Sequence, residues 1–341
     1  MASPLPISVL MPVYNAADTL EEALTSLAVQ TRRAAEWVVV DDGSTDTTPQ
    51  ILEAWQRRVP FLRVLRGAHQ GVARALQKGL EACQGPLIAR MDADDRAHPA
   101  RLALQAAFLE THPTVAVVGS RVRLHPDGFQ GEGMQAYLAW QNRLLSDEAI
   151  RREIFIESPF VHPSVMFRKA AVLAAGGYRH GPWLEDYDLW LRLYLQGARF
   201  AKLPQFLLFW RDHPQRVTRT DPRASLENML RLKATYLAQG PLRQRDAVIV
   251  WGAGMAGRRL SKHLLREKVP LVAFVDVDPQ KIGRTRRGKP IYAADDLPKL
   301  WAQYRHPAVI VAVGARLAKA LIRPRLTAWG LQEGQDWWFA A

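Results

Sequence analysis

The first ninety residues alternate apolar, strand-like runs with amphipathic, helix-like segments, and this alternation restricts the fold more than any other feature. Four runs have the character of strands: "ISVLMPV", "EWVVV", "FLRVLRG" and "GPLIARMD". Helical spacing of apolar residues follows each of the first three runs. Strands joined through helices pair in parallel and carry helices on both faces. The sequence therefore predicts an α/β fold with a mostly parallel sheet flanked by helices.

Carboxylates stand where two of these strands end. Asp41 and Asp42 close the second run, and Asp92, Asp94 and Asp95 follow the fourth. Ligands of such sheets bind at the carboxyl ends of the strands. Residues two apart in an extended segment point the same way, so Asp92 and Asp94 would repel each other unless a hard cation such as Mg²⁺ joined them. A solvated acidic loop is the alternative, and the position at a strand end favours the metal.

Three further positions have both a structural and a functional interpretation. Glu185 and Asp186 open a helix-like segment, where the helix dipole favours acidic residues, yet Asp186 also suits a general base toward a sugar hydroxyl. His162 fits either a structural turn or the acceptor side of a site. Trp183 fits either a core or a surface that stacks on a sugar ring.

Six segments between residues 5 and 220 resemble those of family 2 glycosyltransferases in their order along the chain. They are "PVYNAADTLEEALTSLAVQT", "VVVDDGSTDTTPQIL", "LIARMDADDRAHPARLALQAAFLETHP", "HPSVMFRKAAVLAAGGY", "EDYDLWLRL" and "FWRDHPQRVTR". The resemblance implies the GT-A fold and an inverting transfer of sugar from a nucleotide sugar, typically UDP-linked. It is closest to bacterial enzymes of surface polysaccharide or glycolipid assembly, so the implied acceptor is a glycan or glycolipid.

The resemblance also implies roles for individual residues. Those expected around the donor are Pro12, Tyr14 and Asn15 in the nucleotide pocket, Asp41 at the base, and Asp92 at the ribose or metal. Asp94 would ligate Mg²⁺ or Mn²⁺, and Asp186 would be the catalytic base. His213 would approach the metal or the diphosphate, although a plain loop histidine is an equal alternative. Trp210 and Gln77 depart from the family pattern, which more often has Tyr and Asn there.

A second domain is expected at 241–341, after a first domain at 1–240. Gly252, Gly254 and Gly257 lie between a strand-like run and a helix, and Asp276 ends the next strand-like run. This spacing is typical of a Rossmann-like turn whose backbone approaches a pyrophosphate. The same segment resembles the small N-terminal domains of sugar acyltransferases. A nucleotide site, a degenerate scaffold and an oligomerisation unit all remain open.

The charge of the chain favours anionic partners. Its formal net charge is +13, and residues 241–341 contain 18 Lys and Arg against 8 Asp and Glu. Nucleotides, acidic glycans and membrane head groups fit this field, with the loop from Lys281 to Lys289 as a candidate contact, and a solvated basic face is the alternative. No motif for a nucleic-acid partner is found.

The location predicted for the protein is the cytoplasm, peripherally at the inner membrane face, since the sequence has no run of 18 apolar residues. Two other functional classes stay open. An NAD(P)-dependent oxidoreductase would use the second domain, and a non-catalytic sugar-nucleotide binding protein would use the first.

Overall fold

The computed structural model describes residues 4–125, 131–213, 221–314 and 316–341. The chain divides into two compact units. The first unit comprises Met1–Ile150 and Pro159–Thr220, and the second comprises Arg151–Ser158 and Asp221–Ala341. The end of the sixth family-like segment, residues 214–219, lies outside the described residues.

The first unit is built on a mixed sheet. Its strands are β1 (Ile7–Val13), β2 (Glu36–Asp41), β3 (Leu62–Arg66), β4 (Leu87–Arg90), β5 (Arg96–Ala97), β6 (Val115–His125), β7 (Met166–Arg168) and β8 (Arg199–Arg211). Their spatial order is β3-β2-β1-β4-β7-β6-β8-β5. The first four strands in that order run parallel, as does the pair β6 and β8, whereas β7 and β5 pair antiparallel to their neighbours. This confirms the predicted α/β class.

The helices follow the strands in chain order. They are α1 (Leu20–Ala28), α2 (Thr48–Arg58), α3 (Val72–Ala82), α4 (Arg101–Thr111), α5 (Glu132–Gln141), α6 (Asp147–Glu153), α7 (Lys169–Ala174), α8 (Glu185–Leu195), α9 (Leu226–Gln239), α10 (Met255–Arg266), α11 (Leu297–Trp301) and α12 (Arg316–Ala328). In α1, Leu20, Leu24 and Leu27 share the buried face and pack against strand residues such as Val9 and Val39. Burial of such a stripe is what stabilises a helix of this length.

The second unit has its own sheet. Its strands are β9 (Ala247–Trp251), β10 (Leu271–Asp276), β11 (Thr285–Arg286), β12 (Lys289–Ala293), β13 (Pro307–Val311) and β14 (Trp337–Phe339). Their order is β11-β12-β10-β9-β13-β14. All pairs are parallel except β11 with β12. The strand–turn–helix expected around Gly252 is present as β9 and α10.

The sequence of residues 125–145 is loop-like, with no clear strand or helix pattern. The structure nevertheless has α5 there, where Leu138 is buried and Met134 and Tyr137 pack against the core; residues 126–130 lie outside the described part. The helix α9 falls within the predicted first domain at 1–240, whereas the division into compact units groups it with the second unit. There the Thr235 hydroxyl donates to Glu267 Oε1 at 2.7 Å, and Lys233 Nζ donates to the carbonyl of Ile156 at 2.5 Å. The predicted domain boundary at 240/241 stays a prediction.

A search of the described residues for membrane-crossing helices gives a negative result. Within ranges 4–125, 131–213, 221–314 and 316–341, no helix is both long enough and apolar enough to cross a bilayer.

Candidate active site

Three neighbouring strands bring the predicted donor-site residues to one edge of the first sheet. Strand β1 lies between β2 and β4, and all three run parallel, so their carboxyl ends lie together. Tyr14 and Asn15 follow β1, while Asp41 is the last residue of β2 and pairs in register with Val13. Asp92 follows β4. Pro12 lies within β1 and is buried.

A network of short turns shapes the edge between β1 and β2. Asn15 has a positive φ of 48° and its side-chain oxygen accepts a hydrogen bond from Thr45 N at 2.8 Å. Ser44 Oγ accepts from Asn15 N at 3.0 Å, and Ser44 N donates to Asp41 Oδ1 at 2.9 Å. Asp41 is only 3% exposed. The structure thus holds Asn15 and Asp41 in fixed positions on either side of one loop.

A stacked aromatic pair stands exposed beside Asp41. The rings of Tyr14 and His69 lie 4.0 Å apart between centroids, at an angle of 27°. His69 Nδ1 lies 2.9 Å from a carboxylate oxygen of Asp42, which also accepts hydrogen bonds from the amides of Gln70 and Gly71. Asp42 is therefore a structural acceptor that positions the His69 ring. The sequence analysis missed His69.

The acidic cluster predicted after β4 is present. Asp92, Asp94 and Asp95 offer carboxylate oxygens that all lie within 4.8 Å of one another. Burial, followed by the charges of Asp94 and Asp92, raises the pKa of Asp95 well above its usual value. Burial and the charge of Asp92 also raise the pKa of Asp94. Among the described residues, Asp95 Oδ2 has no hydrogen-bond partner. Convergent, desolvated oxygen donors of this kind fit a hard divalent cation.

Two buried arginines lie behind this cluster. Arg90, 3% exposed, forms an ion pair with Asp92. Burial alone would lower the pKa of Arg90, but the charge of Asp92 and the hydrogen bond to it, together with the charges of Tyr178 and Glu185, raise that pKa. Arg101 is fully buried and donates to the carbonyls of Arg90 at 2.6 Å and Val165 at 3.2 Å; burial lowers the pKa of Arg101 to about 9. These cations offset part of the carboxylate charge.

The end of β8 closes over the cluster. His213 Nε2 lies 3.1 Å from Asp94 Oδ2. The backbone amide of Arg211 donates to Asp95 Oδ1 at 2.8 Å, and its Nε donates to the carbonyl oxygen of Asp94 at 2.8 Å. The structure therefore brings His213 to the acidic cluster, as the family resemblance implies, through a strand that is far away in sequence.

Helix α8 carries Asp186 in its first turn. Asp186 is half-buried and its Oδ1 accepts a hydrogen bond from Tyr187 N at 2.7 Å. Two residues after Asp186, in the same turn, the buried carboxylate of Asp188 pairs with Arg192 at 2.8 Å. Arg192 also donates to the carbonyl oxygen of Gly177 at 2.7 Å, which ties the loop before α8 to the helix. Trp183 Nε1 donates to Asp188 at 3.2 Å, so the indole is anchored beside Asp186.

Tyr178 connects α8 with the acidic cluster electrostatically. Its hydroxyl lies 2.9 Å from Nε2 of the buried His162, and its amide donates to Gln77 Oε1 at 2.8 Å. Burial raises the pKa of Tyr178, and the charges of Asp186 and Asp92 both raise it further. The charges of Asp186 on α8 and of Asp92 in the acidic cluster therefore both act on the hydroxyl of Tyr178. Burial, followed by the charge of Arg90, holds the pKa of His162 well below its usual value, so the ring is neutral.

Three supporting residues could have been predicted and two could not. Arg90 precedes Asp92 by two positions, which places both on one side of an extended segment. Asp188 and Arg192 are four apart on a helix, the spacing of an ion pair. No local pattern indicates that Gln77 and Tyr178 meet, because 101 residues separate them.

The glycine-rich turn of the second unit is shaped by Asp276. Ala253 N donates to Asp276 Oδ2 at 2.7 Å, and Asp278 N donates to Asp276 Oδ1 at 2.9 Å. A Cβ on Gly257 would lie 1.7 Å from the carbonyl oxygen of Gly252, so only glycine fits there. Lys281 Nζ lies 3.5 Å from Asp276. Both carboxylate oxygens of Asp276 therefore hold the chain's own backbone.

Comparison with known families decides the class of the first unit. The family model described as Glycosyl transferase family 2 matches residues 8–176. The amylovoran biosynthesis glycosyltransferase AmsE of Erwinia amylovora is 36% identical over 205 residues, which are 59% of this chain and 74% of that protein. The chain belongs to glycosyl transferase family 2. It is a glycosyltransferase, as the resemblance implied. A second model, described as C2185-like, N-terminal, matches residues 244–333.

One further relative and one solved structure extend this result. An Escherichia coli UDP-Gal:alpha-D-GlcNAc-diphosphoundecaprenol beta-1,3-galactosyltransferase is 28% identical over 204 residues, covering 59% of this chain and 72% of that enzyme. The crystal structure of S. aureus TarS 1-349 in complex with UDP-GlcNAc matches with a TM-score of 0.57 and 21% identity, over 77% of this chain and 72% of that chain. The structural match supports the GT-A fold of the first unit.

Proposed function

We propose that this glycosyltransferase moves a sugar from a nucleoside-diphosphate sugar, with UDP as the nucleotide, to a hydroxyl of a glycan or glycolipid acceptor in the synthesis of surface polysaccharide. The observation that carries the proposal is the convergence of Asp92, Asp94 and Asp95 at the carboxyl ends of parallel strands. The relatives support the substrate classes, since one is named for amylovoran biosynthesis and another for a diphosphoundecaprenol acceptor.

The donor nucleotide would lie along the ends of β1 and β2. Asp41 would accept hydrogen bonds from the base, with Pro12 and Asn15 lining the pocket. Tyr14 would offer its ring face, backed by His69 at 4.0 Å. A stacked pair that is already ordered needs little reorganisation to receive a planar base.

The acidic cluster would hold a divalent cation, Mg²⁺ or Mn²⁺, through Asp94 with Asp92 beside it and His213 in reach. When bound, such a cation supplies Lewis-acid stabilisation of the charge on the diphosphate. Arg90 keeps Asp92 oriented, and Arg211 fixes the backbone of the loop that carries Asp94 and Asp95. Removing either arginine should misplace the carboxylates.

Asp186 would be the catalytic base. Its carboxylate would take the proton of the acceptor hydroxyl, whose oxygen attacks the anomeric carbon on the face opposite the diphosphate. A single displacement of this kind inverts the anomeric centre and needs no nucleophilic side chain. The Asp188–Arg192 pair would keep Asp186 in place by fixing the first turn of α8 to the loop at Gly177.

For the second unit, nucleotide binding at Gly252, Gly254, Gly257 and Asp276 stays a prediction. Both oxygens of Asp276 accept backbone hydrogen bonds that shape the turn, and their remaining lone pairs leave room for a ribose hydroxyl as a further donor. A fall in UDP or NADH affinity of the full chain on Gly254→Glu would support a nucleotide at this turn.

The test of the proposed function is hydrolysis and transfer with a panel of UDP sugars and MnCl₂. Asp94→Asn should abolish both reactions. Asp186→Asn should abolish transfer but leave UDP affinity unchanged, because the base does not touch the nucleotide. Arg199→Gln, an exposed change on the same unit, is the control. Transfer that survives in Asp186→Asn, or tighter binding of NADH than of UDP, would contradict the proposal.

A further inference from the structure

The second unit contains a pocket lined by two tryptophans, away from its glycine-rich turn. The pocket has a volume of about 360 Å³ and is lined by Pro298, Trp301, Trp329, Gly330, Leu331 and Asp336. Helices α11 and α12 end beside it and lead into the amino ends of β13 and β14. It is therefore separate from the turn at the carboxyl end of β9. Its volume lies at the small end of the range for ligand pockets.

The indole of Trp329 is held rigidly. It lies 6.0 Å from the ring of Trp251 at an angle of 32°. The guanidinium of Arg325 lies 5.2 Å from the Trp329 ring and 5.8 Å from the Trp251 ring, and Arg325 also pairs with Asp295. A locked aromatic surface loses little conformational entropy when a ligand stacks on it.

The charged side chain in the lining of the pocket, Asp336, disfavours an anionic ligand. Asp336 contributes a carboxylate whose Oδ2 accepts from Gln332 N at 2.8 Å; no described residue donates to its Oδ1. The Asp336 carboxylate repels phosphate and accepts hydrogen bonds from hydroxyl donors.

The residues that line the pocket therefore favour a neutral ligand with an apolar face and several hydroxyl groups. A pyranose ring has this combination, since its axial C–H groups pack on an indole and its hydroxyls donate to carboxylate oxygens. We infer that this pocket binds one sugar residue of the acceptor glycan, apart from the site of transfer. The identification of the ligand as a sugar of the acceptor glycan rests on the proposed function. The pocket and the chemistry of its lining are independent of that function.

The test is saturation-transfer difference NMR of the full chain with the methyl glycosides of glucose, galactose and N-acetylglucosamine. UDP and MgCl₂ are present, so that the donor site is filled and does not take up the glycoside. At least one glycoside should show transfer to its ring C–H protons. Trp301→Leu should weaken that binding about fivefold, the equivalent of roughly 1 kcal/mol for a lost aromatic contact. Asp336→Asn, which keeps the shape of the pocket, should weaken it as well.

Tyr304→Leu is the matched control, because Tyr304 packs against the same core but does not line the pocket. The inference is overturned if no glycoside binds, if cyclohexanol binds where the glycosides do not, or if Tyr304→Leu lowers binding as much as Trp301→Leu. Asp186→Asn should bind the glycosides normally. Transfer that persists in Asp186→Asn, together with retained sugar binding, would therefore contradict the proposed function and leave the pocket standing.

Discussion

Both sheets of this chain carry aspartates at or just after the end of a parallel strand, yet the carboxylates have opposite surroundings. In the first unit, Asp94 and Asp95 follow β4, face like charges, and have raised pKa values. In the second unit, Asp276 is the last residue of β10, and its two oxygens accept hydrogen bonds from Ala253 N and Asp278 N. Asp94 and Asp95 carry charge that a cation could neutralise, whereas each oxygen of Asp276 already accepts a hydrogen bond from a backbone amide.

The difference shows that a strand-end aspartate is a functional residue only where its acceptor capacity is left for a ligand. Asp42 and Asp188 in the first unit make the same point, because backbone amides occupy Asp42 and Arg192 neutralises Asp188. Each stands beside a proposed functional residue, Asp41 or Asp186. Position in sequence does not separate the two kinds, and hydrogen bonding alone does not either, because Asp41 accepts from Ser44 N and Asp186 accepts from Tyr187 N.

The largest expected effect separates the two sheets directly. Asp94→Ala should weaken Mn²⁺ binding by about 100-fold and lower kcat of transfer by about 1000-fold, since one of the converging oxygen donors is lost. Asp276→Ala should leave both quantities within about twofold, because its carboxylate contacts only its own turn and Lys281 and does not belong to the acidic cluster. Titration calorimetry with MnCl₂ and initial rates measure the two. A tenfold fall of kcat in Asp276→Ala would contradict the distinction between Asp94 as a metal ligand and Asp276 as a residue that shapes its own turn.

The second effect concerns the satisfied carboxylate next to the proposed base. Arg192→Met should lower the free energy of unfolding by about 3 kcal/mol, because it leaves the buried Asp188 without its cation and the carbonyl of Gly177 without a donor. Urea denaturation followed by far-UV circular dichroism measures it. Arg199→Met, at an exposed position, should change stability little. Equal stability of the two variants would mean that the pair does not hold α8.

The third effect is the stability that Asp276 gives to the second unit. Asp276→Ala should cost about 2 kcal/mol, because it leaves the buried amide of Ala253 without an acceptor. Hydrogen exchange at Ala253 N should accelerate accordingly. Asp278→Ala, which breaks a surface pair with Lys281, is the control. Unchanged exchange at Ala253 would show that the turn holds without the carboxylate.

Local patterns predicted the alternation of strands and helices and the acidic cluster, because those features depend on residues close in sequence. The helical spacing of apolar residues predicted α1 to α3. The spacing of Asp92 and Asp94 predicted two carboxylates on one side of an extended segment. Family resemblance, not spacing, supplied His213 and Asp186 as candidates. The structure places His213 against Asp94.

The parts that could not be predicted depend on packing between distant segments. Helix α9 has a pattern that suits either unit, and only its bonds to Ile156 and Glu267 assign it to the second. The amides of Ala253 and Asp278 that donate to Asp276 were likewise not visible in the sequence. The pocket of Trp301 and Trp329 is likewise formed by two helix ends that no motif connects.

The smallest expected effect is the pH dependence contributed by His162. Its pKa is held well below the usual 6.5 by burial and by Arg90, so the folded state resists protonation while the unfolded state accepts it. The unfolded state therefore binds more protons below pH 6.5, and the free energy of unfolding falls as pH falls, by up to about 1.4 kcal/mol per pH unit. In His162→Gln, which can keep the hydrogen bond to Tyr178, the decline between pH 6.5 and 5 should be shallower. His112→Gln, at an exposed position, should leave the slope unchanged, and a shallower slope in both variants would refute the assignment to His162.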